Sequence, residues 1–108
     1  MYILPKKLMI LGSGELGKEL AIAAKRLGCF VIACDKYSNA PAMQVADEAL
    51  VFDMQNESML INNIYKQRPD IIIPEIEALA IHALEIIEKE GFKVIPNARA
   101  VSITMNRD

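Results

Sequence analysis

Five short apolar runs punctuate the chain, and each closes on a glycine, a proline or an acidic residue before the pattern changes period. The first, Leu8-Met9-Ile10-Leu11, stops at Gly12. The spacing after it predicts a helix over 15–27, with Leu16, Leu20, Ala24 and Leu27 on one stripe and Lys18, Lys25 and Arg26 toward water. Gly28 stands where a left-handed cap would end that helix. The second run, Phe30-Val31-Ile32-Ala33-Cys34, stops at Asp35, and "KYSNAPAM" follows as a polar loop broken by Asn39 and Pro41. The third, Ala49-Leu50-Val51-Phe52, ends at Asp53, and a helix over 56–67 has Asn56 as its cap. The fourth, Ile71-Ile72-Ile73, is continuous and β-branched, as a strand covered on both faces should be. Pro74 ends it, and a helix over 77–90 closes at Gly91. The fifth, Lys93-Val94-Ile95, stops at Pro96, with Asn97 placed to cap one more helix.

Strands alternating with helices over such short connections predict right-handed crossovers and a parallel sheet between helical layers. The expected fold class is α/β: a Rossmann-like three-layer domain over 1–108, with a parallel sheet of about five strands. In such sheets a ligand sits beyond the carboxyl ends of the strands, near the point where strand order reverses. That rule brings Gly12 to Glu15, Asp35, Asp53, Glu75 with Glu77, and Asn97 to one rim.

Composition narrows the function classes. With 108 residues, 53% hydrophobic and 24% charged, the chain has the make-up of a globular domain. A chain of that size buries roughly two-thirds of its unfolded surface. The net charge of −2, and the lack of any basic run beyond Lys6-Lys7 or Lys25-Arg26, leave no footprint for nucleic acid. No apolar stretch approaches the ~18 residues that span a bilayer. "MYILPKK" puts its positive charge after the apolar residues, the wrong order for a secretory signal. A cytoplasmic protein is the expectation. Cys29 and Cys34 agree: five positions apart on or beside one strand, they point to opposite faces and read as buried free thiols. His82, the single histidine, has no second histidine or cysteine near it in the pattern, and no metal site is expected.

Candidate chemistry concentrates in Gly12-Ser13-Gly14-Glu15-Leu16-Gly17. GxGxxG between strand and helix is the turn that seats the pyrophosphate of a dinucleotide on a helix N-terminus. The same glycines also read as a tight turn and a close helix–strand contact. Glu15 is the anomaly. A carboxylate about 4 Å from a phosphate charge costs on the order of 4 kcal/mol at an effective dielectric near 20. The helix terminus returns only ~0.3–1 kcal/mol to an anion. Such an acid should turn a diphosphate away and welcome an amine or another donor, though it reads equally as a first-turn acid complementing the dipole. Asp35, 18 positions beyond Gly17, lies near where a dinucleotide fold holds its ribose-binding acid, and reads as often as a loop cap. In "PEIEA", residues 74–78, Glu75 leaves the fourth strand beside the first and faces the loop of Glu15. Two carboxylates there would form a pocket for an amine or a sugar hydroxyl pair, or hold a proton at raised pKa. Glu77 reads as dipole complementation at the next helix start.

Taken together, "MILGSGELGKE" at 9–19, "VIACDKYSNAPAMQVA" at 31–46, "IIPEIEA" at 72–78 and "VIPNARAVSITMNRD" at 94–108 resemble the N-terminal domain of the formate-dependent phosphoribosylglycinamide formyltransferases, an ATP-grasp family of purine biosynthesis. The resemblance runs in register from about residue 8 to the end. It implies a reaction in which formate and ATP give formyl phosphate, which formylates the amine of glycinamide ribonucleotide. It implies that Glu15, Leu16 and Glu75, with the turn Gly12, Ser13 and Gly14, bind that substrate, and that Arg107 belongs to the ATP site. No catalytic residue is assigned. ATP and Mg would be held mainly by an ATP-grasp region beyond Asp108, so the chain resembles a fragment without activity of its own, and the full-length protein a homodimer. Two other classes stay open. An NAD(P)-binding oxidoreductase domain explains the glycines and Asp35 but not Glu15, and a ligand-sensing or interaction module would need no further domain. Carboxylase-type ATP-grasp enzymes share the glycine-rich turn as well.

Overall fold

The computed structural model describes residues 6–75, 79–99 and 101. Four parallel strands, β1 (Lys7–Leu11), β2 (Phe30–Asp35), β3 (Glu48–Val51) and β4 (Ile71–Pro74), lie in the order β3-β2-β1-β4. Strand order reverses at β1, whose neighbours are β2 and β4, and this is the crevice position of doubly wound sheets. The register sets Leu11 beside both Cys34 and Pro74, so three strand ends finish level. Three helices, α1 (Glu15–Arg26), α2 (Glu57–Gln67) and α3 (Ile81–Lys89), connect and cover the strands.

Alternation along β1 and β2 divides the core in two. Met9, Leu11, Ile32 and Cys34 join Ile72 and the buried faces of α2 and α3. Leu8, Ile10, Val31 and Ala33 pack under α1 with Ala21 and Ala24. Period-two alternation places successive side chains in opposite layers, which gives the three-layer α/β architecture. It also separates the free thiols: Cys29 lies in the α1 layer and Cys34 in the other. Burial, joined by the charges of Asp35 and Glu48, pushes the Cys34 thiol up to about 12.

The structure corrects the sequence reading in three places. The described sheet has four strands, not about five. The run around Val94 makes an isolated parallel bridge to Ile72, with Ile72 N donating to Lys93 O and Ile95 N to Ile72 O. Three apolar-rich residues bounded by Pro96 supply too few ladder positions for a strand. The α1 stripe is rotated: Gly17, Ala21 and Ala24 are buried, whereas Leu16 and Leu27 are each 64% exposed. Small residues on that face let the helix lie close to the sheet and leave Leu16 on the rim. The third helix runs Ile81–Lys89 among the described residues rather than 77–90. Glu77, placed at its start, lies outside them. The left-handed conformation expected at Gly28 is present, with φ of 82°, and Gly91, the expected close of the third helix, has φ of 103°.

Candidate functional site

The glycine-rich turn is pinned from behind. Gly12, at φ 105°, turns the chain out of β1 and donates its N–H to Cys34 O at 2.9 Å. Ser13 is fully buried and every hydrogen-bonding group it has is used. Its N–H donates to Asp35 Oδ2 at 2.8 Å, its hydroxyl to Cys34 O at 2.9 Å, and its carbonyl accepts from Ala42 N at 2.9 Å. Asp35, 3% exposed, also accepts from Lys36 N at 2.7 Å. Of the two sequence readings of Asp35, the loop cap is the one observed. Its carboxylate ties β2 to the turn and presents no free oxygen pair to a ribose.

Ala42 belongs to a 3-10 helix, Pro41–Gln44, that seats against the turn and that the polar-loop reading missed. Pro41 at its start is the available signal, because the fixed φ of proline suits a helical first position. Lys18 Nζ reaches the same segment at Gln44 Oε1, 3.0 Å away, so that cation is engaged on the flank of the turn.

The front of the turn is open. Gly14 caps α1, with extended ψ and free space around its Cα. Glu15 opens the helix as an exposed first-turn acid, and Leu16 projects beside it. Glu75 follows β4 directly, and its N–H donates to Leu11 O at 2.8 Å, which places it against the first turn of α1. Its Oε1 is buried and meets no hydrogen-bond partner among the described residues. Burial raises the proton affinity of this carboxyl, the Gly17 amide opposes that rise, and the negative charge of Asp35 adds to it. A side-chain carbon on Gly17 would stand 2.8 Å from Gly12 O and 2.9 Å from Glu75 Oε1. Glu75, rather than the exposed Glu15, is therefore the acid whose carboxylate lies against the first turn of α1.

The remaining sequence candidates stand apart. Asp53 caps its own turn through Gln55 N at 2.9 Å. His82 is exposed and pairs with Glu57 Oε1 at 2.6 Å across α3 and α2. Arg107 lies outside the described residues. A surface cavity of about 310 Å³ opens between Arg68, Asp70, Phe92 and Lys93, at the opposite end of β4 from Glu75. It shares no residue with the rim just described.

Comparison with known proteins agrees with this fold. A family described as the ribonucleotide synthetase preATP-grasp domain matches residues 5–105. A formate-dependent phosphoribosylglycinamide formyltransferase of Prochlorococcus marinus is 68% identical over all 108 residues, which cover 28% of its length. Among solved structures, "glycinamide-RNase-transformylase T" from Mycobacterium tuberculosis superposes with a TM-score of 0.87 at 40% identity, covering 90% of this chain and 28% of that one. An N5-carboxyaminoimidazole ribonucleotide synthetase solved as its ADP complex gives 0.80 at 30% identity, covering 93% and 26%. The chain thus spans little more than a quarter of the curated relatives it matches.

Proposed function

The chain belongs to the ribonucleotide synthetase preATP-grasp domain family, and from that premise we propose that it is the substrate-binding N-terminal domain of a formate- and ATP-dependent formyltransferase acting on glycinamide ribonucleotide in purine biosynthesis. One observation carries the reading: Glu75 Oε1 is a buried acceptor that faces the glycine-rich turn with no hydrogen bond formed to it among the described residues. A buried acceptor left alone costs free energy that a donor on a guest would recover. A dinucleotide brings a diphosphate to that spot, the wrong charge beside a carboxylate. A ribonucleotide with hydroxyls and an amine brings donors. Relatives at 60–68% identity carry the formyltransferase name, above the 30% of the synthetase structure, and this ranks formyl transfer ahead of the sister carboxylation.

In the intact protein formate is phosphorylated by ATP to formyl phosphate, and the substrate amine attacks its carbonyl carbon. Phosphate leaves and the amine loses a proton. Glu15, Leu16 and Glu75 position the amine-bearing ribonucleotide for that attack. Neither acid is assigned as the general base. Gly12 and Ser13 act by shaping the turn, since the Gly12 N–H and the polar groups of Ser13 are engaged internally, and Gly14 keeps its mouth open. ATP and Mg fall to the part of the full-length protein outside this chain, with Arg107 as this chain's contribution to the ATP site. Among the described residues no group of three or more His, Cys, Asp or Glu could hold a metal ion. The full-length protein acts as a soluble cytoplasmic homodimer, and no helix of the described residues is long and apolar enough to cross a membrane.

The test is Glu75→Gln in the full-length protein. Losing a charge-assisted contact should raise KM for glycinamide ribonucleotide about tenfold or more while KM for ATP holds. Unchanged KM and turnover would defeat the site assignment.

A further inference from the structure

The third glycine of such a turn lets a helix approach its strand, and Gly17 does this: an added Cβ would meet Gly12 O at 2.8 Å. The second obstacle is of another kind. Glu75 Oε1, 2.9 Å from the same point, comes from the end of β4, one strand over. Helix–strand packing does not require a side chain from a third element in that gap. Gly17 is the third residue of α1, and first-turn amides have no partner within the helix. The Gly17 amide is near enough to the carboxylate to favour the charged form of Glu75 against burial, with no hydrogen bond formed to Oε1.

We propose that Gly17 is a positioning residue for Glu75: its missing side chain opens the slot in which the Glu75 carboxylate lies against the first turn of α1, filling the anion position of the glycine-rich turn and fixing Oε1 to receive a donor from the substrate. The inference rests on Glu75 being a substrate contact, and adds what holds it there. Three elements then fix one oxygen: β1 through Leu11 O, β4 through the backbone of Glu75, and α1 through the gap at Gly17. Diphosphates are excluded by occupancy of the turn, while the exposed Glu15 stays free to meet the guest.

A double-mutant cycle in the full-length protein, read as KM for glycinamide ribonucleotide, tests this. Glu75→Ala should raise KM about tenfold or more, the scale of a lost hydrogen bond to a charged group. Gly17→Ala should raise it by a similar factor with KM for ATP unchanged, because the methyl displaces the carboxylate. The double variant should be no worse than Glu75→Ala. If Glu75→Ala leaves KM unchanged, the substrate-site reading itself fails. If Glu75→Ala raises KM and Gly17→Ala multiplies onto it by its full factor, Gly17 acts independently of Glu75, and the inference falls while the reading stands. The methyl also meets Gly12 O, so a measurement on the unsubstituted chain accompanies the cycle. The Gly17 amide resonance should shift with the titration of Glu75 and lose that step in Glu75→Gln. Asp35, the other acid acting on Glu75, and Glu15 on α1 remain in both proteins as internal controls. A Gly17 resonance that moves alike in both overturns the proposal.

Discussion

Glu75 and Asp35 are two acids packed against the same turn with opposite fates, and the difference lies in who donates to them. Asp35 receives two N–H groups at 2.7 and 2.8 Å and is structural. Asp35→Ala would orphan both donors inside the fold and should cost about 2–4 kcal/mol in denaturant unfolding. Glu75 has a buried oxygen with no hydrogen bond formed to it among the described residues, and its proton affinity is raised, first by burial. The sign of the pH effect follows. An acid whose folded pKa lies above its unfolded value costs nothing while protonated, below the unfolded pKa. Stability is then lost as pH rises from the ordinary glutamate range through the raised folded value. Glu75→Gln should abolish that loss, so its melting temperature should fall less than that of the wild type between acidic and neutral pH. Parallel melting curves at every pH would show that Glu75 is not strained by its place. The variant is thus expected to gain neutral-pH stability while losing substrate affinity, the exchange characteristic of binding sites.

At the scale of elements, what could be read from the chain was what neighbours in sequence decide. The Asn56 cap is one case: its Oδ1 accepts from Met59 N at 3.0 Å, as the Asn before an apolar-periodic stretch implies. Asn56→Ala should lower stability by about 1 kcal/mol in a denaturant melt, with KM for the substrate unmoved. β1, α1, β2 and α2 fall close to their expected bounds for the same reason, since hydrophobic period and terminal glycine or asparagine are local signals. Longer-range facts were not legible. Nothing in "KYSNAPAM" announces that Ala42 N bonds Ser13 O, because that contact exists only once β1 and β2 are paired. The leucines of α1 read as the buried stripe, yet close approach to the sheet favoured the Gly17, Ala21 and Ala24 face. The site suffered likewise. Glu15 stood next to the glycines in sequence and took the role of the repelling acid, whereas strand order brought the Glu75 carboxylate beside Gly17.

At the scale of the molecule, the rim holds acceptors and an exposed leucine, and a cation on its flank, Lys18, is engaged by Gln44. Phosphoryl transfer from ATP depends on cations that neutralise the phosphate oxygens and on a cleft that keeps water from the acyl phosphate. The described residues of this domain provide one wall for an amine-bearing ribonucleotide and no such clamp among them. Formyl transfer should therefore need the remainder of the full-length protein, of which this chain is 28% in the Prochlorococcus relative. The 108-residue chain alone, incubated with formate, ATP and glycinamide ribonucleotide, is expected to release no ADP and form no formylated product. The full-length protein under the same conditions should do both, and Glu75→Gln within it should do so only at raised ribonucleotide concentration. Turnover by the isolated chain would place the phosphate-handling groups inside this domain. The division of labour would then have to be redrawn around residues on its own surface.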